Sequence, residues 1–134
     1  MGFEFDPSDH SSVMWRYNII DITGKLADLE WQNSIWGDSE ASTPYGLRFD
    51  DFITFLFDDS QILAYPLEMK ESLLLDDDEV SAAIELGRAL DAIIDGPEIH
   101  ENDLMSSPGW PHVVMAAKEL WVAMARRGSR VAEL

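Results

Sequence analysis

The chain has 134 residues and carries 26 acidic against 9 basic side chains, a formal net charge of −17 at pH 7. Such a surface is repelled by nucleic-acid phosphates and by anionic membranes, because binding either requires clustered Lys and Arg. Five Trp and six Phe within 46% hydrophobic residues are too many for a disordered chain, and the lack of cysteine excludes disulfides, thiolate-bound zinc and a thiol nucleophile.

In chain order, Met1 to Asp6 is acidic and lacks the basic and apolar regions of a signal peptide. Asp6 also stands where a myristoylation motif needs Ser or Thr. No apolar run approaches the roughly 20 residues that span a bilayer, so the expectation is one cytoplasmic domain over residues 1–134, frayed at 1–7 and 129–134. Pro7 and Ser8 open a first helix to about Ala27, with Trp15, Ile19, Ile22 and Leu26 as its apolar stripe; Gly24 weakens its last turn. Asp28 reads as the N-cap of a short second helix through Trp31 and Ile35, stopped by a left-handed Gly37. The stretch 38–47, with Pro44 and Gly46, is a loop suited to a functional surface.

The segment Phe49-Asp-Asp-Phe-Ile-Thr-Phe-Leu-Phe-Asp-Asp59 follows. Phe49, Phe52, Ile53 and Leu56 share one helical face, and Phe55 and Phe57 widen it almost all round, which predicts a central, buried helix over about 48–59. Tyr65-Pro66 ends it. Leu73-Leu74-Leu75 fits either a short extended piece or a helical turn. Asp76 and Glu79 have capping-box spacing for a helix running to Asp95, with Gly87 allowing close approach of another helix and Gly96-Pro97 as the stop. The polar segment 98–107 holds one turn near Asp103-Leu104. Trp110-Pro111 starts the last helix. Its stripe is Trp110, Val113, Val114, Ala117, Leu120, Trp121 and Met124, with Arg126 and Arg127 at its negative end and Gly128 as its stop. No segment alternates long enough to be a strand. The expectation is an all-α bundle of about five helices around the 48–59 helix.

Trp31 to Trp36, the 49–59 segment, Leu86-Gly-Arg-Ala-Leu-Asp-Ala-Ile-Ile94 and Ser107-Pro-Gly-Trp-Pro-His-Val-Val-Met-Ala-Ala117 together resemble an uncharacterised family of small, acidic, all-helical actinobacterial proteins. The resemblance covers roughly residues 14 to 127. It implies a helical fold and brings no active residues with it; by analogy alone, such short acidic helical bacterial proteins are similar to immunity proteins encoded beside toxins.

Charge is unevenly placed. Residues 1–47 carry 8 acids and 2 bases, residues 48–103 carry 16 and 3, and residues 104–134 carry 2 and 4. An acidic middle favours a basic protein partner steered in over long range, and it also serves solubility. The pairs Asp50-Asp51 and Asp58-Asp59 read as helix-end charge or as metal ligands, but Asp51 and Asp58 are about 10 Å apart along a helix axis, too far for one ion to take both unaided. Asp77 and Asp78 exceed what capping requires, which leaves them for a partner. Trp31, Trp36 and Tyr45 suit either an interface or a small core.

His10, His100 and His112 have no paired spacing, and no nucleophile elbow, phosphate loop or dinucleotide fingerprint occurs. No catalytic residue, metal or cofactor is therefore assigned. The leading expectation is an acidic protein-binding module, most concretely an immunity or antitoxin-type inhibitor of a basic partner such as a toxin nuclease. Its candidate contact residues are Asp58, Asp59, Asp77, Asp78, Trp36 and Tyr45. The alternatives are a metal-dependent enzyme built on the Asp pairs and a housekeeping interaction domain; the oligomeric state stays open.

Overall fold

A computed structural model describes residues 10–37, 44, 46–70 and 73–133. Its elements are α1 (His10–Leu26), α2 (Leu29–Ile35), α3 (Phe49–Ile53) continuing as a π-helical turn (Thr54–Asp59), α4 (Asp77–Ile94), a 3₁₀ turn (Glu101–Ser106) and α5 (Trp110–Glu133). Among the described residues the only β pairing is an isolated bridge between Lys70 and Leu74, so the domain is all-α.

The caps at Asp28 and Asp76 form as their spacing predicts. Asp28 Oδ1 accepts from Trp31 N at 3.1 Å and Asp76 Oδ1 from Glu79 N at 3.0 Å, each satisfying an otherwise orphaned amide of a helix's first turn. Gly37 is not in the left-handed region; among the described residues only Gly46 and Gln61 have positive φ. The last helix also passes Gly128 and runs to Glu133, so Gly128 is not its stop and Arg126 lies inside the helix rather than at its end.

The bundle turns on α5, not on the 49–59 segment. α5 packs against α4 on one side and α1 on the other. Length explains the difference: 24 residues of α5 span about 36 Å, whereas the 49–59 segment is too short to serve as the axis of such a bundle. Within it only Phe52 and Leu56 are buried, while Phe49, Ile53, Phe55 and Phe57 are half-buried and flank the core. Its second half widens to π geometry, with Ser60 N donating to Phe55 O at 2.8 Å. Phe55 there stacks on Trp15 at 5.2 Å.

Two glycines explain close approaches. A Cβ on Gly24 would stand 3.0 Å from Trp121 Nε1, so α1 meets an indole from α5 there. Gly87 admits not a helix but the connector: its Cβ would lie 3.4 Å from the Leu63 carbonyl.

One end of the bundle is closed by ions. Arg16 and Glu79, both buried, pair bidentately at 2.7 and 2.8 Å. Arg16 also donates to the carbonyls of Leu73 and Met124, and Glu79 Oε1 accepts from Leu75 N at 2.9 Å. One guanidinium thus joins α1, α4, α5 and the connector before α4. Glu79 is more than the helix-start carboxylate its spacing suggests. The other end is aromatic: Trp36 lies within about 6 Å of the rings of Trp31, Phe49, Phe52 and Trp110. Buried Gln32 stitches it, donating to the carbonyls of Lys25 and Leu26 at 2.9 Å and accepting from Trp110 Nε1 at 2.8 Å.

Candidate interaction surface

Where α1 runs beside α3 and its π turn, an open groove of about 430 Å³ remains. Ile22, Phe52 and Phe55 supply its apolar floor, and Asp21, Asp51 and Asp59 its carboxylates. The helices position these groups for different purposes. Asp51 accepts from Gly46 N at 2.8 Å and Arg48 N at 3.1 Å, fixing the entry to α3. Asp21 pairs with Lys25 one turn on, and the Lys25 ammonium also lies 5.8 Å from the Trp31 ring centre. Asp58 and Asp59 end the π turn, exposed and with no ion pair among the described residues. They stand at the negative end of their own helix, so local structure gives them no compensation.

Asp77 and Asp78 are likewise exposed but belong elsewhere. Asp77 bonds Lys70 at 2.7 Å, and Asp78 lines a separate groove between α4 and α5. The four candidate aspartates therefore do not form one cluster. Trp36 is interior, 1% exposed, with its indole N–H donating to the Leu47 carbonyl at 2.8 Å; its ring offers no surface to a partner. Tyr45 lies outside the described residues. Among the described residues no three carboxylate or histidine side chains converge as a metal site, and no described helix is long and apolar enough to cross a membrane.

What sequence reasoning missed here is the company of Asp59: Asp21 and Asp51 reach the same groove from other turns. The available signal was Asp21 lying one residue from Ile22 on the first helix, which puts a carboxylate at the border of an apolar stripe.

A family model described as a domain of unknown function (DUF7945) matches residues 12–130. Neither a curated protein nor a solved structure matches the chain.

Proposed function

The chain belongs to the DUF7945 family, and from that premise we propose that it is an acidic protein-interaction domain that docks a basic protein. The most concrete case is an immunity or antitoxin-type inhibitor occluding the cleft of a toxin such as a nuclease, whose substrate channel must be basic. The observation that carries this reading is Asp59 at the edge of an apolar-floored groove, with Asp58 beside it, both without an ion pair among the described residues. A Lys or Arg stem covers apolar surface while its head seeks carboxylate, and Ile22 and Phe55 next to Asp59 match that division. The net charge of −17 adds long-range attraction for a basic partner.

The test begins with capture of partners from cell extract on the parent protein and on Asp58→Asn/Asp59→Asn. Binding of the retained chain is then followed by stopped flow at two salt concentrations. The variant should associate more slowly, with the deficit largest at low salt, and Asp77→Asn, already compensated by Lys70, should change the rate less. Equal on-rates for parent and double variant at low salt, or a retained chain that is itself acidic, would remove the reading.

A further inference from the structure

α5 presents a second seam, opposite in character to its core face. His112, Met115, Glu119, Val122 and Arg126 are spaced alternately three and four residues apart, the period of a helix–helix seam. All five are exposed, Met115 by 65% and Val122 by 44%. They line an open groove of about 980 Å³ whose other wall is α4, with Asp78, Ala82 and Glu85 at helical spacing. The two walls differ in charge. The α4 wall contributes two carboxylates, Asp78 and Glu85, and no base; the α5 wall contributes Lys118 and Arg126 with one carboxylate, Glu119.

Such a face complements itself. We propose that its occupant is a second copy of this chain, related by a twofold axis running along the two helices. α4 and α5 are antiparallel, since the Glu79 and Met124 levels meet through Arg16 while Glu85 reaches His112 at 2.7 Å. Rotation about an axis parallel to them lays the α4 of one copy on the α5 of the other without changing height along the groove. Asp78 then faces the partner copy's Arg126, and the reverse contact follows by symmetry. Met115 and Val122 are covered in the same step, which removes an exposed apolar strip from water. Asp78 and Arg126 share this groove yet make no ion pair with each other or with other described residues, so both keep their charge for the partner.

Net charge opposes association at long range, but it acts through carboxylates scattered over the whole surface. At physiological salt the screening length is about 8 Å. Remote repulsion is damped while pairs inside the contact are not. This face lies in a different groove from the docking site above and is independent of it.

The test is mass by sedimentation equilibrium at physiological salt, over a series from about 10 µM to about 1 mM. The parent should shift from monomer to dimer within it. Asp78→Lys alone and Arg126→Glu alone each place like charges across the axis twice and should weaken association by at least about tenfold. Helical circular dichroism should stay at the parent's level, since both residues are exposed. Mixing the two variants restores both contacts: the introduced lysine meets the introduced glutamate, and the unchanged Asp78 of one copy meets the unchanged Arg126 of the other. The mixture should therefore dimerise as the parent does. A parent that stays monomeric throughout would overturn the proposal. So would a dimer indifferent to either reversal, or single variants whose mixture fails to recover.

Discussion

The two ends of this bundle are closed by different helices and by different chemistry. At one end Arg16 and Glu79 are sealed from water and hydrogen-bond each other and three backbone groups. At the other, five aromatic rings fill the space, and the buried amide of Gln32 stitches α1, α2 and α5 together beneath them. The aromatic end gains from area removed from water, with ring geometry adding a modest increment. The ionic end has no such surplus, because desolvating two charges offsets most of their attraction. What the ion pair supplies is direction: only one arrangement of α1, α4 and α5 lets Arg16 reach Glu79, Leu73 and Met124 at once. The aromatic end stabilises; the ionic end selects register.

That contrast makes its largest prediction for single against double substitution. Arg16→Leu or Glu79→Leu strands a buried charge and should cost about 3–5 kcal/mol, a large part of the 5–15 kcal/mol expected of a whole domain. The pair Arg16→Leu/Glu79→Leu removes both charges and should recover most of that loss. Chemical denaturation of the three variants and the parent gives the cycle directly. If the double variant recovers nothing and stays as unstable as the single variants, the pair stabilises outright and the distinction between the two ends collapses.

A middle-sized effect tests the aromatic end. Gln32→Leu preserves volume but takes the Gln32 contact from the Trp110 indole N–H and the Leu26 carbonyl, while the Lys25 carbonyl keeps the Asp28 amide at 3.2 Å. Each unsatisfied buried group costs on the order of 1–3 kcal/mol, and solvent reaching the α1 terminus will lower the total. A loss of roughly 1–3 kcal/mol, smaller than for either ionic single variant, is expected in the same denaturation assay. A loss beyond the Arg16 variant's would mean that this end, too, rests on its polar contacts.

The helices and both aspartate caps were legible in the sequence because they are local: a stripe, a cap and a Gly-Pro stop all lie within a few residues of one another. The ion pair was not, since Arg16 and Glu79 are 63 positions apart and each has an innocent local reading. Its trace is visible in hindsight on α1, where the buried positions Arg16, Ile19, Thr23 and Leu26 are spaced three, four and three apart. The apolar stripe through Trp15 and Ile22 lies to one side of that face, and both of those residues are only partly buried. The same bias put Trp121 in the core. It is 39% exposed, and small Ala116, Ala117 and Ala123 take the interior positions beside Leu120 and Met124. Hydropathy favours the large ring, but the close approach of α1 and α4 to α5 requires the small side chain. At the candidate surface, Asp58 and Asp59 were legible as charge, whereas their separation from Asp78 depends on tertiary packing.

The smallest effect concerns the connector that joins the two ends. After the π turn the chain reverses at Gln61, whose φ of 62° lies in the left-handed region. The turn is tied by Ser60 N to Phe55 O and by Leu63 N to Leu56 O at 3.2 Å, which brings Leu63 to Gly87 on α4. An L-residue pays about 1–2 kcal/mol for that backbone, while glycine adopts it freely but loses roughly 0.5–1 kcal/mol more entropy on folding. Gln61→Gly should therefore stabilise by no more than about 1 kcal/mol, a rise of a few degrees in Tm. Gln61→Val must shift the opposite way, because a β-branched side chain tolerates positive φ least. Thermal melts of the two variants give the sign. If Val and Gly melt together, the reversal at residue 61 has some other backbone, and the connector no longer holds Leu63 against α4 in the manner described.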